Sequence, residues 1–135
     1  MEKKLTIENK LEQLTLLSGY VEELCEELNL GPELVFNFNL VLEEAMTNVV
    51  MYAYPEGETH TIELTATLQG KELVFVLKDT GTPFDPTQVP DVDTTLSAEE
   101  REIGGLGIFL IKQIMDRVEY QYIDNHNVLT MAKNI

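Results

Sequence analysis

Glu44 and Asn48, an acid and an amide four residues apart, stand in the segment Glu43-Glu44-Ala45-Met46-Thr47-Asn48-Val49-Val50-Met51-Tyr52. On a helix of 3.6 residues per turn they share a stripe with Asn37, while Val35, Phe38, Leu42, Ala45, Val49 and Ala53 gather on the opposite side. A carboxylate held above a packed core could accept a proton, and a carboxamide could give magnesium the hard oxygen it prefers. The pattern also describes the water-facing side of any amphipathic helix. The pair therefore gains meaning only from residues further along the chain.

Two glycine-containing boxes lie downstream. Asp79-Thr80-Gly81-Thr82-Pro83-Phe84-Asp85-Pro86 comes directly after the strand-like run Glu72 to Lys78. Gly81, without a β-carbon, would let a flat ring come close to the main chain, and Asp79 could accept a hydrogen bond from an exocyclic amine. The same residues suit a turn that closes a strand. Asp-Thr-Gly after an apolar strand is also the mark of aspartic proteases, in which two such loops share a proton. The second box, Gly104-Gly105-Leu106-Gly107, opens the apolar segment Ile108 to Val118. Unpaired amides in a first helical turn attract phosphate, and glycines let it approach; a flexible loop entering a buried helix is the alternative. Neither a Gly-Lys-Ser/Thr phosphate loop nor a strand-Gly-x-Gly-x-x-Gly-helix unit is present.

In this order, Glu44-Ala45-x-x-Asn48 with Tyr52-Ala53-Tyr54, Asp79-x-Gly81-x-Pro83-Phe84-Asp85-Pro86 and Gly104-Gly105-Leu106-Gly107 resemble the GHKL ATPases. The resemblance is closest to the small bacterial anti-sigma factors that are also serine protein kinases, and it covers nearly the whole chain. It implies that Glu44 activates the attacking oxygen, Asn48 holds Mg2+ beside ATP, and Asp79 reads the adenine amino group with Gly81 against the ring. Gly104, Gly105, Leu106 and Gly107 would line the phosphates, and residues 85–103 would form a lid over ATP. Phosphoryl transfer needs positive charge at the γ-phosphate. Arg101 is the candidate, although members of this branch carry an arginine nearer the glycines, where Ile103 stands here; Tyr52 likewise replaces a frequent histidine. The implied activity is that of an anti-sigma factor and serine/threonine protein kinase acting on a STAS-domain anti-anti-sigma protein in a partner-switching circuit. The alternative is a nucleotide-gated module that sequesters a sigma factor or other regulator without catalysis. The resemblance also implies a homodimer.

These boxes need elements to hold them. Lys4 to Glu8 reads as a strand, Lys10 to Asn29 as an amphipathic helix stopped at Gly31-Pro32, and a second helix as running to about Tyr54. Strands at His60 to Leu68 and Glu72 to Lys78 form a hairpin across Gln69-Gly70-Lys71. Strands at Val118 to Ile123 and Val128 to Ala132 flank a turn at Asp124 to Asn127. The expected fold is α+β, a two-layer α/β sandwich of the Bergerat type with a mixed, mostly antiparallel sheet, helices on one face and the ATP pocket between the layers. Three long helices and Thr82-Pro83 argue against a protease. His60 and His126 fall beside turns, where both should face solvent, rather than on a dimerising helix as a histidine autokinase requires.

A chain of 135 residues is one domain by length, 1–135. Its net charge of −15 repels phosphate backbones, which argues against direct nucleic-acid or anionic-membrane binding and suits a basic protein partner. The single cysteine, Cys25, falls in the apolar series Leu11, Leu14, Leu17, Val21, Leu24, Cys25, Leu28 and reads as a small core residue. Residues 1–10 lack the apolar core of a signal peptide and no run approaches a spanning length, so a cytoplasmic protein is expected.

Overall fold

A computed structural model describes residues 1–88 and 105–135. Strand β1 (Glu2–Glu8) leads through a 3-10 turn at Leu11–Leu14 into helix α1 (Thr15–Glu27), then helix α2 (Pro32–Tyr52), strands β2 (Thr61–Gln69) and β3 (Glu72–Asp79), helix α3 (Gly105–Ile114) and strands β4 (Arg117–Ile123) and β5 (His126–Asn134). The sheet runs β1-β2-β3-β5-β4, and each of its four pairings is antiparallel, the limiting case of the mostly antiparallel sheet expected. α1, α2 and α3 pack on one face of it. No helix among the described residues is long and apolar enough to cross a membrane.

Helix boundaries reflect local chemistry. α1 ends at a Schellman motif, with Leu30 N–H donating to Cys25 O at 2.8 Å and Asn29 N–H to Glu26 O at 3.2 Å. Asn29 takes the left-handed conformation there, at φ 55°, so the stop lies two residues before the Gly31-Pro32 expected to provide it. Pro32 then opens α2 at a first-turn position where no N–H is needed. The start of α1 is also shorter than expected, because Leu11–Leu14 winds as 3-10 and leaves Leu11 exposed rather than on the core face. Leu17, Val21, Leu24 and Cys25 are buried as the periodicity requires.

Both hairpins close on two residues. Gln69 pairs with Glu72 around Gly70-Lys71, where Gly70 has φ 64°. Ile123 pairs with His126 around Asp124-Asn125, both at positive φ, as a type I′ turn requires. The second turn is shorter than the Asp124-to-Asn127 reading, so β5 begins at His126 and Asn127 becomes a strand residue.

The register assigns every side chain to a face. Lys3, Ala66, Phe75, Met131 and Val118 form one rung beneath the helices, and Leu5, Leu64, Leu77, Leu129 and Tyr120 form the next. Phe75 is fully buried and meets Phe38 of α2 edge-on, with ring centroids 5.2 Å apart. The rung after these carries Ile7 opposite Ile62 on the outer strands, but Asp79 opposite Asn127 on the inner ones. On the inner strands a pattern apolar for two rungs thus turns polar at one end of the sheet, on the side that faces α2 and α3.

Candidate functional site

Asp79 and Asn127 are the only buried polar side chains among the described residues, at 5% and 7% exposure. Such groups require partners, and here each partners the other. Asp79 Oδ1 accepts from Gly81 N–H at 2.8 Å and from Asn127 Nδ2 at 2.9 Å. Asn127 also donates to Thr82 O at 3.1 Å and Gly81 O at 3.3 Å, while its carbonyl accepts from Phe84 N–H at 3.2 Å and from the Tyr120 hydroxyl. Burial pushes the Asp79 carboxyl above its ordinary range, and the bonds from Asn127 and Gly81 pull it back.

Above this pair opens a cavity of about 300 Å³. Ala45, Asn48, Val49 and Ala53 of the α2 side, Leu77, Leu129 and Tyr120 of the sheet, Ile108 and Ile111 of α3, and Pro83 and Phe84 of the intervening loop line most of it. The lining is apolar with few polar groups, the usual character of a small-molecule pocket. Val49 and Ala53, assigned by periodicity to the core side of α2, are half-buried because they face this space. Tyr52 and Phe84 stand at the cavity with about half their surface exposed.

The loop after β3 is locked to the end of α2. Thr82 N–H donates to Ala53 O at 2.8 Å, satisfying a carbonyl that the ending helix leaves open. Tyr54 adds a second tie, its hydroxyl accepting from Thr80 N–H at 2.8 Å while its ring stacks on His60 with centroids 4.2 Å apart. His60 and His126 are thus half-buried, each hydrogen-bonded locally, to Glu58 Oε1 and Asp124 O. Gly81 is buried in this junction, and a β-carbon there would fall 2.5 Å from both Cβ and O of Ala53. The approach of α2 by itself requires glycine here, independently of the ring contact expected from the sequence.

On the other side of the cavity, α3 begins at Gly105, so Gly105, Leu106 and Gly107 occupy its first turn. A β-carbon on Gly107 would lie 3.0 Å from Glu44 Oε2 and 3.4 Å from Asn48 Nδ2. The acid and the amide of α2 and the glycine box, more than fifty residues apart in sequence, therefore meet. Asn48 belongs to both regions, lining the cavity and touching the glycine turn, whereas Glu44 lies one turn further along α2, beyond the cavity wall. Arg101, Ile103 and Gly104 lie outside the described residues, as does the expected lid except at Asp85–Gln88. In that part, Asp85 Oδ1 accepts from Thr87 N–H at 2.8 Å, and Lys112 of α3 donates to Thr87 O at 3.1 Å.

Among the described residues no three acidic, histidine or cysteine side chains gather to cage a metal. Magnesium does not demand such a cage, since it keeps several waters and takes one or two protein oxygens together with phosphates. The Asn48 carboxamide beside the first turn of α3 fits that limited role.

Sequence reasoning did not single out Asn127 or Tyr120, and it placed Ala53 on the core side of α2 rather than at the cavity. Asn127 carried a usable signal: extending the inward alternation of Met131 and Leu129 by two residues reaches it.

The pattern of the histidine kinase-like ATPase domain matches residues 7–133. A serine/threonine-protein kinase of Bordetella bronchiseptica, BtrW, is 31% identical over 99 residues, 73% of this chain and 70% of that protein. The serine-protein kinase RsbW of Halalkalibacterium halodurans is 29% identical over 134 residues, 96% of this chain and 81% of that one. Among solved structures, the RsbU and RsbW domains of a Mycobacterium tuberculosis protein superpose with a TM-score of 0.71 at 11% identity. That match takes in 99% of this chain but spans only 32% of the longer protein.

Proposed function

The chain belongs to the histidine kinase-like ATPase domain family, and from that premise we propose an ATP-dependent anti-sigma factor and serine/threonine protein kinase whose substrate is a STAS-domain anti-anti-sigma protein. Kinases named among its relatives support the reaction class. The observation that carries the reading is the meeting of Glu44 and Asn48 with Gly107 beside a cavity floored by Asp79.

The site residues divide the work. Asp79 Oδ1 is taken by Gly81 and Asn127, so Oδ2 is the oxygen available to accept from the adenine 6-amino group. The apolar lining holds the base, and main-chain amides of the first turn of α3, with Gly104 before it, receive the phosphates. In the transfer, the substrate serine oxygen attacks the γ-phosphorus, its proton passes to the Glu44 carboxylate, the β–γ bridging P–O bond breaks and ADP leaves. Mg2+, where Asn48 contributes an oxygen, would offset the charge on the phosphates; Arg101 is assigned the same task. The reading treats 1–135 as one such domain with a lid over 85–103, acting in the cytoplasm as a homodimer and holding a sigma factor in one of its states.

The test is transfer from γ-labelled ATP to the STAS-domain protein encoded nearest this one, run beside Glu44→Ala and without magnesium. Label on a serine, lost in both controls, is the expected result. Removing a positioned general base lowers the rate by roughly 10²- to 10⁴-fold, while ATP binding by Glu44→Ala should be preserved. Absence of label with ATP bound would replace the kinase by a nucleotide-gated binding module.

A further inference from the structure

We infer that Asn127 is a positioning residue that sets the purine specificity of this site, by fixing Asp79 as a pure acceptor and keeping 6-oxo bases out. The inference rests on the proposed nucleotide site and assigns to it a residue outside the three sequence boxes.

A carboxylate can read a purine 6-position in two ways: ionised, it accepts from a 6-amino group; protonated, it can donate to a 6-oxo group. A buried carboxyl is drawn toward the second state, and Asp79 is buried with its carboxyl pushed upward. Asn127 opposes this. Its Nδ2 bond to Asp79 Oδ1, with that of Gly81 N–H, favours the ionised form and fixes the rotation of the carboxylate, and the charge of His126 at the start of β5 acts in the same direction. The amide orientation is set by its surroundings: Phe84 N–H and the Tyr120 hydroxyl approach its oxygen, and three acceptors surround its nitrogen. Its two N–H groups are therefore spent on protein acceptors and neither is left for a ligand carbonyl. The cavity consequently offers the base an acceptor at Asp79 and no donor from Asn127. Because the same amide holds Gly81, Thr82 and Phe84, it also fixes the loop that walls the cavity on that side.

The probes are ATP and inosine triphosphate, which differ at the purine 6-position by amino against oxo, titrated calorimetrically into the full chain over a descending pH series. The parent should prefer ATP by on the order of 10³-fold or more, since a site built around one hydrogen bond rejects a ligand that cannot make it. Asn127→Ala should cut that ratio to about tenfold or less, and the pH below which the ratio falls should move upward. Tyr120→Phe, which removes one donor from the Asn127 carbonyl and leaves the chain packing, should lower the ratio by roughly fivefold. It supplies the same readout if Asn127→Ala does not fold. A variant that binds ATP with the parent ratio and pH profile overturns this inference alone. A parent that binds neither nucleotide overturns it together with the nucleotide site.

Discussion

Phe75 and Asp79 project from the same face of β3, four residues apart, into opposite kinds of surroundings. Phe75 is fully buried, against Phe38 and in a rung with Ala66 and Met131. Asp79 is nearly as buried, but it lies under a cavity and faces an amide across the strand pair. Burial is nearly equal in the two places and its meaning differs. At Phe75 the removal of apolar surface from water is itself the contribution; at Asp79 burial is a cost offset by hydrogen bonds from Gly81 and Asn127, and in the proposed function the remaining oxygen is the one that reads the base. One end of the sheet face is closed by apolar packing, and the other lies open under the cavity assigned to the nucleotide.

The largest effect expected at the apolar end is on stability. Phe75→Ala should cost about 3–5 kcal/mol in urea unfolding, through lost transfer energy and the hole beneath Phe38. The fraction that remains folded should bind ATP within about threefold of the parent, a bound well under 1 kcal/mol. A loss of affinity much larger than the loss of folded protein would mean that the two ends are not separable.

Asp79→Asn should reverse the pattern. Its amide keeps the shape but presents an N–H pair or a neutral oxygen to the base, and ATP affinity should fall by roughly 10²-fold, the size of a hydrogen bond to a charged group. Stability should hold or rise, because the buried charge is gone. The pH dependence is set by the sign of the shift: a carboxyl raised above its unfolded value takes up protons in the folded state first. Falling pH through that raised value therefore removes a stability penalty in the parent and narrows its difference from Asp79→Asn. ATP binding by the parent weakens over the same range, because the acceptor is being protonated. Unfolding and titration curves that move together with pH would contradict this assignment.

How far each end could be read from the sequence differs for the same reason. Alternation in β2 and β3 and the 3.6-residue period of α2 are properties of burial, so the apolar rungs and the helix faces are legible in residue order. Glu44, Asn48, Asp79 and the glycines of α3 were legible as types at suggestive spacings. Their assembly was not, since Glu44 meets Gly107 only when α2 and α3 pack. Asn127 was hidden by a turn two residues shorter than its composition suggested: Asn-rich stretches serve a type I′ turn and a strand start equally well, and only the Ile123–His126 pairing separates them. At Gly81 the structure adds a neighbour that nothing local announces, because Ala53 comes within 2.5 Å of its missing β-carbon. Leu11 shows the converse error, an in-phase leucine left outside by a 3-10 start that changes the angular step.

The smallest effect expected is also the most discriminating, because its two readouts should differ in sign. Gly107 lies in the first turn of α3 with no positive φ among its properties, so alanine fits its backbone. In a helix alanine is favoured over glycine by about 0.8–1 kcal/mol, and Gly107→Ala should hold or raise the melting temperature. The new methyl would nevertheless stand 3.0 Å from Glu44 Oε2 and 3.4 Å from Asn48 Nδ2, tighter than ordinary contact. The end of a flexible acid gives way more readily than the backbone, so the carboxylate should move by a few tenths of an ångström and the helices stay where they are. Geometry at the reacting oxygen governs transfer far more steeply than it governs binding, so phosphorylation should fall about tenfold while ATP affinity changes by less than about threefold. If transfer is untouched in a variant that is more stable, Glu44 does not act from the position beside Gly107. If stability and transfer fall together, the methyl has displaced α3 itself, and the polar end of the sheet is packed as tightly as the apolar one.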